Sequence, residues 1–344
     1  MSFASMSKSV VWAAAAAVCV GAFGSTTYGL GNYDWYGTAS SDWTTKANWY
    51  PNAPATGGTL AAPANDGNYD LGTSATAESF ALTYDPANNT AITDPTYEGG
   101  GIFIGQNSAA ALDVLSGSLT FEDQQYTSTV GWDGAPGAIN VNGGTLTFLS
   151  PGGGAGLNFG HSNVANSYTG TVSVTNGTMN VAGGLYFNAS YKNNTLTVGQ
   201  GGLVSASGAG SYLGFGSRII LNGNGVFAQT GTSAVTFENH GGSYAALAYQ
   251  AGGTGTLSLF DGGASGLSAV ETQIATDISG KYFDTVSGTT FTPLTSLSQL
   301  SFTQSGNQAL ITLAAAPVPE PASLGLLAVA GAGMLLLYRR RKMA

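Results

Sequence analysis

Between Gly101 and Gly263 the apolar residues recur in one pattern. An apolar residue, a spacer and a second apolar residue are followed by a turn residue five places after the first and an apolar residue seven places after it. Leu112, Val114, Gly117 and Leu119 set the pattern, and Ile139, Val141, Gly144 and Leu146 repeat it. Val172, Val174, Gly177 and Met179 follow, then Leu196, Val198, Gly201 and Leu203. A fifth copy, Ile219, Leu221, Asn224 and Val226, has Asn at the turn, a residue that tolerates a left-handed backbone. Leu257, Leu259, Gly262 and Ala264 make a weaker sixth. Successive copies start 27, 33, 24, 23 and 38 residues apart.

A second apolar element falls between copies: Ile102-Phe103-Ile104, Val130-Gly131-Trp132, Leu157-Asn158-Phe159, Leu185-Tyr186-Phe187 and Tyr212-Leu213. Alternation with period two marks strands buried on one face, and the Gly/Asn/Ser runs between them mark turns. Each unit therefore holds three short strands. Regularly spaced strands fit a sandwich or a solenoid, and self-similar units favour the solenoid. The predicted fold class is all-β, a right-handed parallel β-helix with N- and C-terminal caps. The aliphatics face inward, while Asp113, Asn140, Ser173 and Thr197 face outward and stack as ladders from one winding to the next. Length variation goes into turns such as 151–156.

Composition agrees with such stacking. Charged residues are 8% of the chain, against roughly 25% in ordinary domains. Like charges repeated every ~4.8 Å along a stack would repel one another. Glycine fills 52 of 344 positions with no three-residue period, and only 11 prolines occur, which excludes collagen. An apolar fraction of 43% excludes the usual disordered composition. A net charge of −9 argues against nucleic acid as a partner.

Both ends read as addresses. Lys8 and the fourteen apolar residues 10–23 form the n- and h-regions of a signal peptide, which predicts the secretion translocon as a partner. Small residues at Ala22 and Gly24, or Thr27 and Gly29, suit cleavage, so residues 1–29 are assigned to the signal. The only cysteine, Cys19, lies within it between Val18 and Val20, which is no lipoprotein site; the expected mature chain has no thiol chemistry. At the other end, Pro319-Glu320-Pro321 precedes the apolar run 322–338 and then Arg339-Arg340-Arg341-Lys342. This order predicts a short single membrane-spanning helix in the inner membrane with a cationic cytoplasmic stop. Without both ends, four basic residues face seventeen acidic ones, a net charge of −13.

Residues 317–344 resemble the PEP-CTERM sorting signal of Gram-negative bacteria in all three parts: the Pro319-Glu320-Pro321 motif, the glycine-punctuated apolar helix and the Arg339–Lys342 cluster. That resemblance implies a transient anchor, an exosortase-type membrane sorting enzyme as partner, and a fate in the cell envelope, at the surface or in the extracellular matrix, often beside exopolysaccharide. The repeats 101–265 resemble the passenger-like repeats of such proteins and autotransporter-associated β-strand repeats, which supports the β-helix.

Residues 30–100 gather Trp35, Trp43 and Trp49, three of five tryptophans within fifteen residues, and resemble the tryptophan-rich opening found before such repeats. Two roles suit them: a platform on which sugar rings stack, or the preferred one, a cap sealing the first winding. Residues 266–316 hold a helical stretch, Leu267 to Ile278, and two strand-like segments, 297–303 and 308–313; a second cap accounts for them.

Catalytic chemistry finds little purchase. Glu122-Asp123, Asp66, Asp70 and Asp133 show no convergence such as paired acid–base catalysis needs. Lys192 and Arg218 are the only cations of the repeat region, which leaves a lyase for acidic glycans without its basic residues. His161 and His240 have no neighbours at metal-ligand spacing, and no G-x-S-x-G elbow occurs. The expectation is a non-enzymatic exported structural or surface protein without cofactor, metal site or catalytic residue. The alternatives are a carbohydrate-binding module using the tryptophans and a cryptic glycan-degrading β-helix enzyme.

Overall fold

Each apolar column of the repeat becomes a row of stacked side chains. A computed structural model describes residues 32–35, 49–51, 68–72, 80–87, 96–98, 101–122, 127–132, 135–149, 156–160, 169–188, 193–208, 210–231, 235–240, 243–262 and 266–314. All belong to one unit, Gly31–Ala344. From Asn68–Leu71 to Thr256–Phe260 the chain passes in rotation through three sheets, each nine strands wide and mostly parallel. Strands are three to six residues long in most windings, and every third one pairs with its predecessor. Such a strand order is compatible with a β-helix or solenoid.

In the second sheet Leu82, Leu112, Ile139, Val172, Leu196, Ile219, Leu247 and Phe283 lie in register, all fully buried. In the third, Leu119, Leu146, Met179, Val204, Phe227, Leu257 and Ile311 form the matching column. In the first, Phe159 and Phe187 stack with centroids 4.0 Å apart. Every such side chain contributes roughly 1.5–3 kcal/mol through burial, which is how a chain with so few charges holds together. The buried Asn194 is answered from neighbouring windings: it accepts the Gly170 N–H (2.8 Å) and donates to the Phe159 carbonyl (3.1 Å).

Three details of the repeat differ from the sequence pattern. The first is register. From Val114 to Leu119, Val141 to Leu146 and Val174 to Met179 the chain turns in five positions, but Val198 to Val204 and Leu221 to Phe227 take six. The added residue closes a four-residue turn, in which the Gly202 N–H donates to Gly199 O (3.0 Å) and the Gly225 N–H to Asn222 O (3.1 Å). Leu203 and Val226 therefore face outward, and Val204 and Phe227 enter the core, because one residue of slip reverses a strand's faces.

The second detail is the left-handed residue. It is Gly117 (φ 65°) and Gly201 (φ 67°), but Gly143 (φ 106°), Asn176 (φ 51°) and Gly223 (φ 59°) in the other copies. Asn224 instead uses its Oδ1 to accept the Gly201 N–H of the previous winding, at 2.6 Å. The third is the sixth copy. Leu257 pairs with Phe227 in the third sheet, and the residues in register with Ile219 and Leu221 are Leu247 and Tyr249, 28 residues on rather than 38.

Beyond the last winding stands the helix Leu267–Ser279, with Ile274, Asp277 and Ile278 on its buried side. Two antiparallel hairpins extend the sheets, Phe283–Ser287 with Thr290–Pro293 and Leu300–Ser305 with Gln308–Leu313. Tyr249 ties the second sheet to the third by donating its hydroxyl to the Ile311 carbonyl (3.1 Å). No helix among the described residues is long and apolar enough to cross a membrane.

Candidate functional site

The outer faces of the three sheets differ in kind. On the second, Asp113, Asn140, Ser173 and Thr197 are in register, and the Asn140 amide donates to the Asp113 carboxylate at 2.7 Å. On the third, Thr120, Thr147, Asn180 and Ser205 form the equivalent row. Both rows are built from short polar side chains. On the first sheet Phe103, Thr129, Asn158, Tyr186, Tyr212 and Thr236 are in register on the face away from the core, with Phe103 and Thr129 buried.

Aromatic residues concentrate at two places on that row. Trp132 lies over Phe103, with centroids 4.7 Å apart and a 58° tilt. Tyr186 stacks on Tyr212 at 5.0 Å and 18°. Strand alternation puts both tyrosines outside, because their neighbours Leu185, Phe187 and Leu213 fill the core. Tyr212 donates its hydroxyl to Glu238 Oε2 at 2.6 Å. Its pKa is pushed far up, first by burial and then by the Glu238 hydrogen bond and charge, so the phenol stays a donor. The ring is thereby fixed, and it backs Tyr186, which remains 39% exposed.

In the winding of Tyr212, on the second sheet, Arg218 lies over the Phe291 ring at 3.9 Å. Burial raises the pKa of nearby Asp284, against the opposing effect of the Arg218 charge. Burial likewise lifts Asp277 to about 6 despite the hydrogen bond from Gln273 (3.0 Å). These carboxylates lie on the terminal helix and hairpin. A cavity of about 680 Å³ there is lined by Thr254, Thr285, Leu294, Gln299, Leu313 and Ala314, which bring neither acid nor base.

Of the residues singled out from sequence, Pro319, Glu320, Pro321, Arg339, Arg340, Arg341, Lys342 and Trp43 lie outside the described residues. Trp35 and Trp49 are direct partners in an antiparallel pair, and Trp35 is in register with Leu71, itself a core residue. Asp66, Asp123, Asp133 and His161 also fall outside; His240 pairs with Ser243 in a two-residue strand. Among the described residues no three His, Cys, Asp or Glu side chains are grouped to hold a metal ion. Tyr186, Tyr212 and Glu238 were not singled out, although Tyr at the centre of two successive Leu-Tyr-Phe and Ser-Tyr-Leu elements was the available signal.

Residues 317–342 match the family model of the PEP-CTERM protein-sorting motif. No curated protein and no solved structure matches the chain. The chain thus carries a PEP-CTERM protein-sorting motif together with a body of stacked, mostly parallel β-sheets. The motif implies export by way of the membrane and recognition by an exosortase-type enzyme.

Proposed function

We propose that this chain is a non-enzymatic structural or surface protein of a Gram-negative bacterium, associated with the cell envelope or with extracellular polysaccharide. A signal peptide over residues 1–29 sends it through the secretion translocon. The run 322–338 then holds it in the inner membrane until an exosortase acts near Pro319-Glu320-Pro321. The delivered body is a right-handed parallel β-helix whose windings continue from 68 to 260. The observation behind this reading is the sorting motif at residues 317–342, set directly after a described body that ends at Ala314. Low charge and stacked polar rows suit a durable scaffold, as hydrogen-bonded windings need few ionic contacts.

Mass spectrometry of the protein from the cell surface tests the proposal. A C-terminus close to Pro321 is expected, together with accumulation of the longer form when the exosortase is deleted. A surface protein still ending at Ala344 overturns it.

A further inference from the structure

Among the described residues, the stacked tyrosines on the outer face of the first sheet have no counterpart on the outer faces of the other two and no use in holding the core. Tyr186 is the one aromatic residue among the exposed large apolar side chains of the described residues; the others are Leu115, Leu149 and Leu203. Tyr186 keeps 39% of its surface open to solvent. Here the ring is also held still. Tyr212 backs it at 5.0 Å, and Glu238 holds Tyr212 through a 2.6 Å hydrogen bond. On the other side the row steps down to Asn158, a half-buried short side chain with one amide to offer, beyond which Thr129 is fully buried. Trp132, packed over Phe103, borders the row beyond them. The result is a firm aromatic surface beside a short polar step.

We propose that this row binds a neutral polysaccharide, one pyranose ring packing its CH face on Tyr186. A sugar ring is apolar on its faces and hydroxylated around its rim. A rigid aromatic face with amide and hydroxyl groups at its edge answers both. Charge selects among stacking ligands. Nucleic acid and acidic glycans bring anions, and neither described cation, Arg218 or Lys281, belongs to a strand of the first sheet. The chain as a whole stands at −9, which repels polyanions. The site is distinct from the tryptophans of residues 30–100. It deepens the polysaccharide association proposed above and rests on that reading for its setting, although binding in solution does not depend on sorting.

Affinity electrophoresis of the purified full chain in detergent tests it, with dextran, hydroxyethyl cellulose and galactomannan as neutral probes and alginate as the acidic one. Retardation by at least one neutral polymer and none by alginate is expected. Tyr186→Ala weakens binding about tenfold or more, equivalent to ~1.4 kcal/mol. Tyr186→Phe keeps it within about threefold, since the ring face remains. Circular dichroism of each variant confirms that the sheets persist. Binding by Tyr186→Ala equal to the parent overturns the proposal, as does an absence of binding to every neutral polymer. Loss on Trp43→Ala with Tyr186→Ala unaffected overturns it too, by moving the site to the tryptophans. C-terminal mass spectrometry reads sorting separately, so failure of either idea is recognisable without the other.

Discussion

The Asn140 side-chain amide donates to the Asp113 carboxylate across neighbouring windings, 27 residues apart in sequence and 2.7 Å apart in space. The two residues sit directly opposite in a parallel register, so anything placed at 140 meets Asp113. Asn140→Asp exchanges a hydrogen bond for two facing carboxylates. A loss of about 1 kcal/mol is expected in urea unfolding, shrinking in high salt as screening rises. An equal loss at low and high salt would contradict the pairing.

Leu203 and Val204 give a direct test of register. Leu203 is 37% exposed and Val204 is fully buried. Val204→Ala should cost about 2 kcal/mol by opening a cavity, whereas Leu203→Ala should stay within about 0.5 kcal/mol. The reverse order in denaturant titrations would restore the uniform seven-residue spacing.

Glycines at the turns are not equivalent. A Cβ on Gly202 would strike the Val174 carbonyl oxygen of the previous winding, while one on Gly252 (φ 76°) would meet open space. Gly202→Ala is expected to lower the melting temperature by several degrees, since windings must part to admit it. Gly252→Asn should lower it far less, because Asn accepts the left-handed backbone at little cost. Thermal melts of the two variants decide the matter.

Stability also depends on pH through the terminal helix. Burial raises Asp277 to about 6, and Asp284 is raised as well. A carboxyl whose folded value lies above its unfolded one favours folding at low pH, where both states hold the proton. That advantage is lost as pH rises through the folded value. For Asp277 the window runs from about 4 to about 6, with a loss on the order of 2–3 kcal/mol. Asp277→Asn should flatten the fall in melting temperature between pH 4 and pH 7, and a curve as steep as the parent's would refute the assignment.

These cases separate what a strand pattern reveals from what it conceals. The alternation Leu112-x-Val114 and its copies marks the inward faces because a buried strand face needs apolar side chains at period two. It does not reveal that the turn after Val198 is one residue longer than the turn after Val174, since Gly-rich turns of both lengths read alike. The hydrophobic Leu203 and Val226 then satisfy the pattern while facing outward. Leu257 and Leu259 likewise imitate a repeat start, and only hydrogen-bonded pairing with Phe227 and Gln229 places them in the third sheet. For the candidate sugar site, Tyr186 and Tyr212 stand 26 residues apart, and nothing local relates them until two windings stack.

The sequence by itself determined the strands, the class of fold, the terminal helix and the sorting tail, since each rests on residues close together along the chain. Tertiary structure decided the turn lengths, the identity of the left-handed residues, the sixth winding and the aromatic face. Those depend on which strand pairs with which, and in this stacked repeat that pairing joins residues 23 to 33 positions apart through backbone hydrogen bonds that carry no mark in the side chains.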